Sequence, residues 1–465
     1  MANSTTKDMT SGSPLKLILG FSVPMLLGLL FQQFYNLVDT ALVGKLLGKT
    51  ALAGVGSTGS LNFLIIGFCT GVCNGFAIPV AQQFGAKDES GMRRFIWNAV
   101  RLAAVLAIGI TALVVALCNP ILRLMDTPDS IFDYSYTYIV IIFAGIPTIF
   151  LYNMTAAIIR ALGDSKSPVI FLGLASVLNI GLDYLFMAPL NFGVAGAALA
   201  TVIAQSVSGI ACLFYMKKRF PVLASSKEER KFDRKRCGTL LSVGLPMGLQ
   251  YSVTAIGSII IQRAVNGFDN ENVNAGVTAA QRINQFFYIP YDALGATMAT
   301  FAGQNTGAKQ YERLKKGMWD AALIGVIYSL VACAVQYFVV RDLVLLFTDE
   351  SEAEVIDYAY RFVLASGLAG PLLVFVNVVR FSIQGMGFSA LAILSGVFEM
   401  LARAIAGLAL TPVLGFFGIC LANPLAWLFA DAFLLPAFFL CKHALERHER
   451  GGAPVRRFRR ATKTL

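Results

Sequence analysis

VAQQFGAKDESGMRRFIW (80–97) is answered 222 residues later by AGQNTGAKQYERLKKGMW (302–319), and this echo decides the architecture. Gln82, Gly85, Ala86 and Lys87 return as Gln304, Gly307, Ala308 and Lys309, Arg93–Arg94 as Lys315–Lys316, and Trp97 as Trp319. The same offset sets Pro24 of FSVPM on Pro246 of VGLPM, Gly145 on Gly367 and Gly163 on Gly385. Each copy is a basic loop between apolar runs long enough to cross a bilayer, so what repeats is a set of membrane helices.

Working outward, the pattern predicts twelve spans, near 15–42, 51–81, 95–118, 134–159, 168–188, 194–216, 239–266, 275–303, 318–340, 355–382, 388–411 and 416–441. Six spans per half is an even number, so both halves enter the membrane from one side. Such repeats are parallel and related by a pseudo-two-fold axis along the membrane normal. The expected organisation is a six-helix lobe (1–216), a basic linker (217–238), a second six-helix lobe (239–441) and a basic tail (442–465). Composition agrees: 56% of the 465 residues are hydrophobic and 14% charged, with a mean hydropathy of +0.67. A soluble chain of this size needs far more polar surface. Apolar runs of this length are helical rather than barrel strands, because each helix satisfies its own backbone in lipid.

The net charge of +11 reflects orientation, not nucleic-acid binding. Of 38 Lys and Arg, 28 fall on the side that carries both termini and the linker, four on the other, and the rest inside spans. Basic loops stay cytoplasmic, which places both termini inside a multi-pass plasma (inner) membrane protein. The first span lacks an A-x-A-like cleavage site and is expected to be retained. Cys69 and Cys73 share a helix face, but no His or second pair completes a zinc site. The two histidines, His443 and His448, lie in the expected tail, and no G-x-x-x-x-G-K-[ST] loop is present. Enzyme chemistry and direct ATP hydrolysis therefore have no visible residues to work with.

Several motifs in fixed order resemble the multidrug and toxic compound extrusion (MATE) family over essentially the whole chain. They are QQFYNLVDTALVGKLLG (32–48), the two repeated loops, RALGDSKSP (160–168), NIGLDYLFM (179–187) and QGMGFSALAILSGVFEMLAR (384–403). The resemblance implies a V-shaped pair of six-helix bundles that exports organic cations and drugs against inward Na⁺ or H⁺. The major facilitator superfamily also has parallel six-helix halves. Its G-x-x-x-D-R-x-G-R-R-like loop is not matched by QQFGAKDESGMRR.

Ionisable residues inside spans are functional candidates because they are costly there. In the first half these are Asp39 and Asp183, both near the outer ends of outward-running spans. Asn179 precedes Asp183 by four residues on the same helix face, and Thr201 begins the next span at similar depth. Carboxylate, amide and hydroxyl oxygens suit a small hard cation such as Na⁺. They equally suit a proton, since desolvation and a second negative charge both disfavour the ionised form. The bland alternative is that Asp39 only caps or snorkels at the membrane edge. The resemblance assigns Asp39, Asn179, Asp183 and Thr201 to a first-lobe cation site. It places Gln32, Tyr35, Tyr138 and Asn153 along the adjoining drug cavity, although polar groups in a bundle also serve simply as interhelical glue.

The second half lacks the acid pair: offset 222 sets Asp39 on Ile261 and Asp183 on Ile405. It carries Arg263, Arg282, Asp292, Glu399 and Arg403 instead. Glu399 and Arg403, four apart, form either a self-compensating buried pair or part of a substrate cavity. Pro24 removes a hydrogen bond from the first span, so bending there is expected to couple cation binding to cavity closure; a static kink is the alternative.

The sequence thus reads as a secondary-active antiporter exchanging H⁺ or Na⁺ for organic, often cationic or amphipathic, compounds. The rival is a lipid-linked or polysaccharide precursor flippase, which the second-half arginines keep open; a channel is a third class. No cofactor beyond the coupling ion is expected. The expected partners are small organic substrates and membrane lipids, with no nucleic acid, and the chain is expected to act as a monomer.

Overall fold

The computed structural model describes residues 8–450, and among these the regular structure is entirely helical. The first seven residues and 451–465, which hold most of the expected basic tail, lie outside the described residues. In chain order the helices are α1 (Pro14–Leu47), α2 (Lys49–Ser57), α3 (Gly59–Gly85), α4 (Glu89–Leu124), α5 (Asp129–Ala144), α6 (Ile146–Ala161), α7 (Lys166–Met187) and α8 (Val194–Arg219). They continue as α9 (Arg234–Asn266), α10 (Glu271–Gly307), α11 (Tyr311–Val344), α12 (Ala353–Leu368), α13 (Gly370–Gly385), α14 (Ser389–Ala404), α15 (Thr411–Leu414), α16 (Phe416–Cys420) and α17 (Ala422–Glu449). A π-helical turn, Ile405–Leu410, joins α14 to α15.

Nine described helices are long and apolar enough to cross a membrane, and two bent pairs bring the number to eleven. The remaining expected span is α10, which has 37 residues and ample length. Its Gln281, Arg282, Asn284, Gln285 and Asp292 keep it outside the apolar set. The bent pairs are α5–α6, at 47°, and α12–α13, at 52°. Both bends have one cause: a proline, Pro147 or Pro371, in the first turn of the second helix, where it cannot donate to the helix before it.

The duplication is visible in the backbone, but its register changes part-way. Lys87 and Lys309 both adopt positive φ (59° and 57°) just after α3 and α10, 222 residues apart. Beyond the next helix the offset is 224. Gly163 (φ 88°) corresponds to Gly387 (φ 93°), each supplying the left-handed residue that ends its helix. Gly145, at the first bend, corresponds to Ala369 at the second. The sequence pairings Gly145–Gly367 and Gly163–Gly385 are therefore corrected by two residues. The slip arises between α4–α5 and α11–α12, where a longer connection outweighs a shorter helix.

The chain divides into two compact units: Met1–Met9 with Val23–Tyr251, and Thr10–Ser22 with Ser252–Leu465. The start of α1 thus belongs to the second unit and the first half of α9 to the first. Glycines explain how α9 is held. A Cβ on Gly71 or Gly75 of α3 would lie 2.5 Å from Met247 O or Gly244 Cα of α9. Gly244 and Gly248 in turn lie against Phe76, Val72 and Phe68. Two small-xxx-small faces let the backbones approach, which is the main source of helix association in lipid.

The linker is folded onto the first unit rather than free. Arg93 of α4 donates through Nε (3.0 Å) and Nη2 (2.8 Å) to Glu229 Oε1, and through Nη1 to the Val222 carbonyl (2.9 Å). Glu229 Oε2 also accepts from the Ser226 amide at 2.9 Å. Trp97 Nε1 donates to Ser225 Oγ (2.6 Å), and Arg230 lies over the Trp97 ring (5.1 Å). In the second unit α17 continues through residue 442, where the buried Lys442 pairs with Glu312 and with Glu446.

Candidate functional site

The first unit gathers its polar residues from five helices. On α1, Gln32, Tyr35 and Asp39 fall on one face at spacings of three and four. On α7 the buried stripe Leu172, Ser176, Asn179, Asp183 and Met187 faces the same interior. Asp39 is 9% exposed, Asn179 2% and Asp183 0%, so these groups face protein rather than the bilayer edge.

Asp39 and Asp183 interact side chain to side chain. Yet neither Asp183 oxygen has a hydrogen-bond partner, nor has Asp39 Oδ1, and both polar atoms of the Asn179 amide are bare. Tyr35 stands beside both carboxylates, with Gln32 and Gln205 next to its hydroxyl. Tyr138 of α5 is buried beside Asp39, Asp183 and Tyr35. Thr201 is half-buried one turn before Gln205 on α8, and it joins the group by that placement rather than by a contact. Asn153 of α6 turns its amide back to the Ile149 carbonyl at 2.9 Å. Pro24 lies within α1, which runs unbroken through it.

Buried polar groups are almost always satisfied, so bare carboxylate and amide oxygens collected at one place call for an explanation. Carboxylate and amide carbonyl oxygens are donors of the kind that a small hard cation takes. A proton shared by the pair relieves the same repulsion. Gln205 was missed from the sequence, although it stands four residues after Thr201 on one helix face.

The second unit treats the corresponding place differently. At the offset of 224 Asn179 matches Arg403 and Asp183 matches Gly407, while Tyr35, ahead of the slip, matches Gly257 at 222. A Cβ on Gly257 would lie 2.7 Å from Arg403 Nη1, so a tethered guanidinium occupies space left by the missing ring. Glu399, 6% exposed, meets Arg403 at 3.6 Å, as the four-residue spacing suggested. Its nearer partner is Arg380 of α13, whose Nε donates to Ser395 Oγ at 2.9 Å. Glu399 and Arg403 are thus members of a buried ion-paired cluster. Arg380 was overlooked, though the rule that marks ionisable residues within spans applies to it equally.

The MatE family profile matches residues 24–185 and again 246–409. The chain belongs to the MatE family. The starts of the two matches are 222 residues apart and their ends 224, the same slip that the backbone shows. Two curated MatE-like relatives are the probable multidrug resistance proteins YpnP and YoeA of Bacillus subtilis (strain 168). YpnP is 34% identical over 66% of this chain and 68% of its own length, and YoeA is 29% identical over 71% and 73%. Among solved structures, an outward-facing multidrug resistance MATE family transporter of the MOP superfamily superposes with a TM-score of 0.88. It is 24% identical and covers 96% of this chain and 99% of its own. Membership in the MatE family, with these apolar helices, makes the chain a multi-pass membrane protein.

Proposed function

We propose that the chain is a secondary-active efflux antiporter that exchanges inward H⁺ or Na⁺ for organic, often cationic or amphipathic, compounds. The observation that carries this reading is the Asp39–Asp183 pair, buried side by side with three of its oxygens unpartnered. Two ionised carboxylates there repel each other, and one cation relieves the repulsion. Occupancy by H⁺ or Na⁺ therefore changes the charge of the first-unit interior, and substrate competes with that change. Gln32, Gln205, Tyr35 and Tyr138 hold the pair from the side and supply an aromatic, amide-lined wall for a flat cationic compound. Pro24 gives α1 a missing hydrogen bond at which to bend when Asp39 changes partner.

The names of YpnP and YoeA support drug export, and the family contains transporters rather than enzymes. A flippase for lipid-linked sugars gains little support, because Arg380 and Arg403 are turned to Glu399 instead of an anionic head group. The same reading places both termini and the linker in the cytoplasm, with the chain acting as a monomer.

The test is ethidium efflux from proteoliposomes under an imposed Na⁺ gradient or an imposed pH gradient. One gradient is expected to drive efflux, and Asp39→Asn or Asp183→Asn is expected to weaken the coupling by about 5- to 150-fold, the usual range of a coupling between sites. Undiminished gradient-driven efflux in both variants would sink the assignment.

A further inference from the structure

A second acid lies buried in the other unit, and the reading above does not use it. Asp431 sits in the middle of α17 at 4% exposure, and neither of its oxygens has a hydrogen-bond partner. The charges that act on it are Arg380 of α13 and Glu399 of α14. Arg380 has its hydrogen bonds committed elsewhere, to Glu399 and Ser395. Arg403 adds a longer contact to Glu399 at 3.6 Å and keeps a buried, unpartnered Nε.

The remaining neighbours hold no free charge against Asp431. Asp357 and Arg361 of α12 pair with each other at 2.7 Å. Neither α16 nor the Ile405–Leu410 turn has an ionisable acid or base. Asp292 of α10 bears on Arg380 and is not among the charges that act on Asp431. Along α17 itself, Lys442 is paired about 16 Å further on, with His443 and His448 beyond it.

An ionised carboxylate with both oxygens bare is among the most costly groups to bury, whereas a protonated one costs far less. Among the described residues Arg380 is the cation that bears on Asp431, and it also serves Glu399 and Asp292, so it cannot fully serve them all. We propose that Asp431 is a proton-binding site of the second unit, at which a proton and the Arg380 guanidinium exclude each other. With Arg380 on Glu399, Asp431 holds the proton. When Arg380 turns to Asp431, the carboxyl O–H bond breaks and the proton leaves to water. Arg380 remains charged throughout, and Glu399 is left to Arg403. This site is separate from Asp39 and Asp183 and does not depend on them.

Trp427 lies one turn before Asp431 and packs edge-on against Tyr288, with ring centroids 5.8 Å apart, so it reports on this place. The experiment uses full-length protein carrying Trp97→Phe and Trp319→Phe, which leaves Trp427 as the only tryptophan. Asp39→Asn and Asp183→Asn silence the first unit. Trp427 emission is followed between about pH 4 and pH 9, the span over which buried carboxyls titrate. A titration that Asp431→Asn abolishes and Asp431→Glu retains at a shifted midpoint supports the proposal. The same titration in Asp431→Asn overturns it. Should Asp431→Asn not fold, an unchanged midpoint in Asp431→Glu also overturns it. Because the first-unit acids are already removed, failure here leaves the efflux reading untouched.

Discussion

Glu399 is the carboxylate on which Arg380 and Arg403 converge, in a cluster where no member is more than about a tenth exposed. Removing its charge strands Arg403 and leaves Arg380 to be met by an Asp431 that must first give up its proton. We expect Glu399→Gln to destabilise the protein by about 3–5 kcal/mol, as when one partner of a buried pair is lost. Replacing Arg380 and Glu399 together with methionine should cost less than Glu399→Gln alone, because the double change removes one stranded charge. Thermal unfolding of the three proteins in detergent checks the order, and a double variant weaker than the single one would refute it. Half of this cluster was legible in the sequence. Glu399 and Arg403 are one helical turn apart, so their pairing needs no tertiary knowledge. Arg380 joins from another helix, and which face of α13 meets α14 is decided by packing. Asp39 and Asp183 could be brought together from depth and direction alone. The placement of Gln205 beside Tyr35 depends on side-chain geometry that no spacing encodes.

The basic run between the halves read as a solvated linker, since charge runs usually are. Glu229 and Ser225 escaped that reading because their partners, Arg93 and Trp97, stand on α4, more than a hundred residues away in sequence. Glu229 anchors the strap. Its hydrogen bonds to Arg93, then the Ser226 amide, hold its carboxyl at about 2, below an ordinary 4.5. A depressed folded-state value means that the unfolded chain takes up the proton first. The anchoring is therefore full above about 4.5 and is lost as the pH falls toward 2. Parent and Glu229→Gln should differ in unfolding temperature near neutral pH, with the parent higher, and the two curves should converge as the solution is acidified through this window. Parallel curves down to low pH would show that Glu229 does not carry the strap.

For the whole molecule, the duplication and the all-helical class were legible because basic loops and bilayer-length runs are local signals. The two-residue slip was not, since apolar helices of similar composition align almost as well at either offset; it took backbone landmarks such as Gly163 and Gly387 to reveal it. Nor does a repeat indicate where a compact unit ends. The first unit reaches past the linker to Tyr251 and takes in the Gly244–Gly248 face that α3 packs against. A fragment 1–233 carries the six spans of the first repeat (α1 to α8) but leaves Gly71 and Gly75 without their partner, exposing a face built for backbone contact. A fragment 1–251 supplies that partner, while the strap anchored by Arg93 and Glu229 is common to both fragments. Expressed in membranes, 1–251 should therefore accumulate and resist limited proteolysis, while 1–233 should be degraded. Supplying 234–465 from a second transcript should rescue 1–233, because the missing face then arrives in trans. Equal stability of the two fragments would mean that the first repeat closes its own core without α9, and that the glycine crossing merely fills space.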